Sequence, residues 1–351
     1  MRKPLPNKKP VDLRSLAAEL ELSESTISRA LRDHPSIPDK TRARVADLAK
    51  RRGYVPNATA RGLATGRAGA LGLAFPLERL QLSQSNFVDV LSGISVGAAE
   101  RDFRIMLSPF SEDDEEAVLR GLVASKTIDG VILTRPLLHD WRIALLHNLE
   151  IPFVVHGRSD VDIPYAYVDI ENISVFEKLT NLLLDYGHRR IAALNFFQQF
   201  RFAAARSEGY LRALAARGVG AEPSLLRETP MTAQSGYEHA ADLLRSDMPP
   251  TAFVCGSIFL ARGVYRAVHE LGLTVPADVS VVCHDDRLRD ISPLDFDPPV
   301  TCTQSSASSA GHKLAEMLID LIEAAKVSEP PQFIVPFSLV LHESVALAPL
   351  R

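Results

Sequence analysis

From Ala70 onward, short apolar runs alternate with longer amphipathic stretches, and this alternation restricts the possible fold more than any other feature of the chain. ALGLAF, RIMLS, DGVILT and PFVVH read as buried strands. The segments between them, SNFVDVLSGISVGAAERD, EDDEEAVLRGLVAS and HDWRIALLHNLE, repeat apolar residues at helical spacing. A second series follows, with RRIAALN, TAFVC and DVSVVCH as strands and helices predicted at 172–186, 203–217, 233–245 and 258–271. Strands that are apolar throughout are covered on both faces, so the pattern predicts parallel sheets between helices. The length suits two similar subdomains. Ligands of such sheets bind at the carboxyl ends of the strands, which places the expected pocket in a cleft between the two sheets.

The segment before Ala70 has another character. Residues 1–67 hold 15 Lys and Arg against 7 Asp and Glu, a net of +8. The whole chain holds 39 against 43, so the remainder carries 24 against 36, a net of −12. A basic head on an acidic body fits either a polyanion met by the head alone or a solvated basic tail, and charge does not choose between them. Within VDLRSLAAELELSESTISRALRD, the residues Leu13, Leu16, Ala17 and Leu20 form one helical stripe that should end near Leu20. Ser23 is placed to cap a second helix, in which Ile27, Ala30 and Leu31 continue an apolar face. Two helices of about two turns joined by a few residues make a helix-turn-helix pattern. Ala17 is small where they must cross. A third helix is expected over KTRARVADLAKRRG, with Asp39 as its N-cap and Gly53 as its stop. In YVPNATARGLATGR, Leu63 stands alone among Ala, Gly and Arg; such a residue can plug a neighbouring domain or wedge open a base step in the minor groove.

Composition adds exclusions. No apolar run approaches the ~20 residues of a membrane span, and MRKPLPNKKP leads into a polar segment rather than the apolar core of a signal peptide. Cys255, Cys283 and Cys302 lie far apart without CxxC spacing, so buried thiols in a reducing compartment are expected. A cytoplasmic location fits both observations.

At these residues the chain resembles the LacI (lactose-repressor) family of transcriptional regulators. The head matches in LRSLAAELELSESTISRAL, IPDKTRARV and RRGYVPNATARGLATGR. The body follows the family's order in DGVILT, IPFVVHGR, YVDIEN, GHRRIAAL, RSEGYLRAL, PPTAFVC, VPADVSVVCHDD and PPVTCTQ. The resemblance implies an all-α helix-turn-helix head over residues 1–56 and a hinge over 57–68. It also implies a periplasmic-binding-protein-like α/β core over 69–351, divided into subdomains 69–168 plus 304–333 and 169–303 plus 334–351. It implies that Ser23, Glu24, Ser25, Thr26, Ser28 and Arg29 meet DNA, with Glu24, Ser25 and Arg29 facing base edges. Asn57, Ala60 and Arg61 would follow at the hinge, with Leu63 as the wedge. Asn86, Phe87, His156, Asp169, Arg206, Ser257 and Asp285 would line an effector cleft, where the planar fork of Arg206 would grip ligand hydroxyls. The implied partners are a pseudo-palindromic operator, a second copy of the chain and a small-molecule effector, with repression as the implied mode. FPLER at Phe75 and His156–Gly157–Arg158 resemble a branch that senses sugars such as α-glucosides.

The chain departs from the family at three places. Glu21 stands where glycine usually occupies the turn, and a left-handed backbone would cost glutamate about 1 kcal/mol or more, so a turn of different shape is expected. Ser257–Ile258 replaces a usual Asn-Asp, and Cys283–His284 a usual Gly-Phe; both imply a pocket built for a different ligand.

Enzymatic readings have little support. GISVG at 93–97 has the spacing of a nucleophile elbow, but Phe87, Val90, Leu91 and Ile94 follow helical spacing through it. His284–Asp285–Asp286 is a single adjacent trio, which cannot supply tetrahedral metal geometry without remote partners. Gly69 and Gly72 form no GxGxxG phosphate loop. Neither an enzyme, a cofactor nor a metal is expected.

Overall fold

The computed structural model describes residues 11–31, 34–54, 67–76, 85–111, 114–324 and 328–349. The chain divides into two units, 1–68 and 69–351.

In the first unit, α1 (Leu13–Leu20) begins where the Asp12 carboxylate accepts from the Ser15 amide at 2.8 Å. Glu21 ends it in the left-handed region, φ 53° and ψ 41°. The turn therefore keeps the shape glycine would give it, contrary to the sequence expectation. The amides of Glu21 and Leu22 both return to the Ala17 carbonyl, and these two bonds hold the unfavourable backbone in place. In α2 (Glu24–Ala30), Ser23 is the N-cap and accepts from the Thr26 amide at 3.1 Å. α3 (Asp39–Arg52) corrects the sequence reading at its start. Pro38 occupies the cap position and Asp39 is the first helical residue, because the Thr41 and Arg42 amides bond to the Pro38 carbonyl. Gly53 closes α3 at φ 63°. Leu16, Ala17, Ile27, Ala30, Val45, Leu48 and Ala49 bury the common core of the three helices.

Among the described residues, the second unit holds two six-stranded sheets. The first contains β1 (Ala70–Pro76), β2 (Arg104–Phe110), β3 (Gly130–Thr134), β4 (Phe153–His156), β5 (Ala166–Asp169) and β11 (Gln332–Ile334), in the order β11-β5-β4-β3-β1-β2, all parallel. The second contains β6 (Ile191–Asn195), β7 (Leu226–Glu228), β8 (Ala252–Cys255), β9 (Ser280–Asp285), β10 (Thr301–Gln304) and β12 (Ser338–Val340), in the order β12-β10-β9-β8-β6-β7. β12 runs antiparallel to β10, and the other described pairs of this sheet are parallel. The chain leaves the first sheet after β5, returns after β10, and crosses again between β11 and β12.

Helices α4 (Ser85–Glu100), α5 (Glu115–Ala124) and α6 (Trp141–Asn148) connect strands of the first sheet. α7 (Asn172–Asp185), α8 (Arg201–Ala216), α9 (Ala233–Leu244) and α10 (Ile258–Glu270) serve the second, and α11 (Ala307–Glu323) packs back on α4. The α4–α11 crossing explains GISVG. A Cβ on Gly93 would lie 1.9 Å from the Ser308 carbonyl oxygen, and one on Gly311 2.1 Å from that of Val90. The glycines let two backbones touch, and Ser95 sits mid-helix with its hydroxyl donating to the Leu91 carbonyl at 2.7 Å. No strained strand-to-helix turn presents it. No helix among the described residues is long and apolar enough to cross a membrane.

Candidate effector cleft and nucleic-acid interface

On the head, α2 divides cleanly. Ile27 and Ala30 are buried, whereas Ser23, Glu24, Ser25 and Arg29 are exposed and Thr26 and Ser28 half-buried. Ser23 shares its hydroxyl with those of Ser25 and Thr26, each at 2.8 Å, so the cap also orients the polar row. The Asp12 carboxyl of α1 is held below its ordinary pKa by the Ser15 amide and hydroxyl. Asn57, Ala60, Arg61 and Leu63 lie outside the described residues.

In the second unit the carboxyl ends of both sheets converge on one cleft. From the first sheet come Phe75 and Pro76 at the end of β1, Thr134 at the end of β3 with Arg135 and Pro136 beyond it, His156 at the end of β4 followed by Gly157, and Asp169 at the end of β5 followed by Ile170. From the second come Met231, Ser257, Asp286 and Ser305, with Asn172, Phe202 and Arg206 from α7 and α8. The cleft opens to solvent at its mouth and has room for a small molecule.

Arg206 dominates its charge. The side chain is 5% exposed, its Nε donates to Asn172 Oδ1 at 2.8 Å and its Nη1 to the Gly256 carbonyl at 2.7 Å. The guanidinium lies 5.3 Å from the centre of the Phe202 ring and 5.7 Å from that of Phe176. Burial lowers its pKa, opposed by the negative charges of Asp286 and Asp169. Asn172 also donates to Asp169 at 3.1 Å, and Arg158 reaches the second oxygen of Asp169 at 2.7 Å. Burial nevertheless raises the Asp169 pKa against the pull of Arg158. At His156, burial lowers the imidazole pKa against the opposing charges of Asp169 and Asp286. Facing these polar groups are Phe87, Phe202, Phe259, Val90, Ile170 and Leu288; Phe75 and Phe87 have ring centres 6.1 Å apart.

Six of the seven residues the sequence proposed for the cleft line it: Asn86, Phe87, His156, Asp169, Arg206 and Ser257. Asp285 does not. Both its oxygens are engaged, one by the Arg287 amide at 2.9 Å and the other by Gln304 Nε2 at 2.8 Å. Its neighbour Asp286 enters the cleft instead, because successive side chains at a strand end point to opposite sides. Burial pushes the Asp286 carboxyl upward, but the hydrogen bond and charge of His284, the charge of Arg206 and a hydrogen bond from Asn86 hold it at about 2. Ser257 caps α10, accepting from the Phe259 amide at 3.1 Å.

Sequence reasoning also missed Asn172, Phe202 and Arg135. Asn172 belongs to the YVDIEN run already singled out, and Phe202 lies one helical turn before Arg206. Helical spacing from Arg206 could have found Phe202. Arg135 carries no such signal, because it sits in a turn at φ 50°.

Comparison with known proteins follows the same division. A family profile described as "Bacterial regulatory proteins, lacI family" matches residues 13–57, and one described as "Periplasmic binding protein-like domain" matches residues 180–345. The HTH-type transcriptional regulator AglR of Rhizobium meliloti is 39% identical over 97% of this chain and 96% of its own. Among solved structures, a complex of the transcriptional regulator CelR with cellobiose is 27% identical, covering 95% of this chain and 99% of that one at a TM-score of 0.71. The lac repressor dimer bound to operator and the anti-inducer ONPF shares the fold at a TM-score of 0.82 and 24% identity, over 96% of this chain and 100% of that one.

Proposed function

Since the chain belongs to the lacI family of bacterial regulatory proteins, we propose that it is a sequence-specific DNA-binding repressor whose hold on its operator is set by a sugar bound in the cleft. The observation that carries the reading is the cleft lining. A buried guanidinium and two carboxylates, each held by neighbours, face a wall of phenylalanines. That combination suits a ligand with many hydroxyls and an apolar face, which a sugar ring has and a simple ion lacks. The cellobiose held by the CelR relative supports the same class.

In this reading, Glu24, Ser25 and Arg29 face base edges, Arg29 being suited to guanine O6 and N7 and Glu24 to cytosine N4. Ser23, Thr26 and Ser28 hold the helix or reach the backbone. Asn57, Ala60, Arg61 and Leu63 act at the minor groove on the strength of family resemblance. Two copies bind a pseudo-palindromic site in the cytoplasm, one head to each half. The working limits are 1–56 for the head, 57–68 for the hinge, 69–168 plus 304–333 for one subdomain and 169–303 plus 334–351 for the other. The protein works by binding, with no chemical turnover.

The test is binding of the purified protein to fragments flanking its own gene, with and without a panel of mono- and disaccharides, followed by thermal shift on the same panel. Selective binding released by one sugar is expected. Equal affinity for all fragments, unmoved by every sugar, overturns the proposal.

A further inference from the structure

The turn that brings Thr134, Arg135 and Pro136 to the cleft is held rigidly behind and loosely in front. Behind it, Arg142 donates to the Thr134 and Arg135 carbonyls at 3.3 and 3.2 Å. Its guanidinium is fixed by Asp140, at 2.9 and 2.6 Å, and by Glu115 at 2.8 Å. Asp140 also accepts from the Leu137 amide at 2.9 Å. Asp140 and Arg142 are buried and each makes several of these bonds, so the turn is held as one piece.

In front, the same turn reaches across to the loop before α8, which belongs to the other sheet. Leu137 forms an antiparallel bridge with Phe200. The Leu138 amide donates to the Gln199 carbonyl at 2.9 Å and the Arg201 amide to that of Pro136 at 3.1 Å. Arg201 Nε meets Asp160 Oδ1 at 2.7 Å, and the Asp160 amide returns to the Leu138 carbonyl at 2.6 Å. Neither Asp160 nor Arg201 lines the cleft. Asp160 is about half exposed in its side chain, 49%, so the ion pair is screened and readily reversible.

We infer that the Leu137–Phe200 bridge and the Asp160–Arg201 ion pair form a latch across the cleft rim, which positions Thr134–Pro136 against the ligand so that occupancy and latching stabilise each other. The inference rests on the cleft being the effector site. A rigid turn with one face on the ligand and the other on a weak contact is a two-state element that a ligand can bias. Asp160 and Arg201 are positioning residues. They act on the ligand only through the turn.

The experiment compares Asp160→Asn, Arg201→Gln and the exchanged pair Asp160→Arg/Arg201→Asp in the full chain. Three quantities are measured: affinity for cellobiose and maltose, operator affinity without sugar, and hydrogen exchange at the Leu138 and Arg201 amides. Each single variant should speed exchange at both amides in the sugar-free protein and weaken the binding of whichever sugar binds, by about threefold to fivefold. Operator affinity without sugar should stay within about twofold, since nothing in the head is touched. The exchanged pair should recover most of both losses. Unchanged exchange in the single variants, or no recovery in the exchanged pair, overturns the latch. Should the wild type bind neither sugar, nor any DNA selectively, the functional reading fails while exchange in the sugar-free protein still decides the latch.

Discussion

Glu21 shows how a single residue can follow its neighbours against its own preference. Its φ of 53° belongs to the region that favours glycine, and two amides bonded to Ala17 hold it there. Glu21→Gly should therefore raise the stability of the head by about 0.5–1 kcal/mol, read as the denaturation midpoint of the helical signal of residues 1–68. At the cleft, Asp285 and Asp286 are adjacent in sequence and opposite in role. Asp286→Asn should weaken sugar binding by about tenfold to a hundredfold in titration calorimetry, as expected for losing a charged partner, and Asp285→Asn should have a far smaller effect. Arg206→Ala should behave like Asp286→Asn and leave operator affinity without sugar intact. The same carboxylate gives a pH signature. Its value of about 2 lies below the ordinary 3.8, so it contributes stability above pH 3.8 and loses that contribution as pH falls towards 2. An acid titration of Asp286→Asn should be flatter than the wild type over that window.

Among the helices, the decisive contacts are made by residues with no side chain. Gly93 and Gly311 allow α4 and α11 to touch, and Gly236 and Gly263 do the same for α9 and α10, where an added Cβ would meet backbone at 2.3 and 2.1 Å. Gly121 in α5 looks the same in sequence, yet nothing lies within 4 Å of its would-be Cβ. Opposite outcomes follow from one substitution. Gly93→Ala should cost about 1–3 kcal/mol because two backbones must separate, and Gly121→Ala should stabilise by about 0.5–1 kcal/mol through helix propensity alone. Urea denaturation of the two variants checks both signs. In the head, caps and apolar stripes were legible because each acts within a turn or two of its own residue. The Asp39 start was misplaced by one residue because a helix cap is a backbone state that several nearby residue types can fill.

For the whole molecule, charge is divided between the units, +8 within residues 1–67 and −12 in the remainder. Operator binding should therefore be strongly salt-dependent, falling about a thousandfold or more between 50 and 200 mM salt if six or more phosphates are neutralised. Sugar binding should change by less than about twofold over the same range, because Arg206 and Asp169 are buried in the cleft, where salt screens them little. Fluorescence anisotropy on labelled operator and calorimetry on the sugar separate the two. Equal sensitivity of both would show that the units do not divide the labour this way.

A helical head ahead of two parallel sheets was legible in the residue order alone, since strand and helix periodicities and capping residues are local signals that survive without a partner. Strand ends, read from where apolar runs stop, put the cleft between the two sheets, while its individual residues were implied by the family resemblance. Packing in three dimensions fixed the rest. It set Cys255, Cys283 and Cys302, widely spaced in the chain, side by side on β8, β9 and β10, all buried. It chose Asp286 over Asp285 and brought Asp160 to Arg201. Each of these depends on register between strands, or on the approach of segments remote in sequence, and packing settles such matters through contacts that no local pattern encodes.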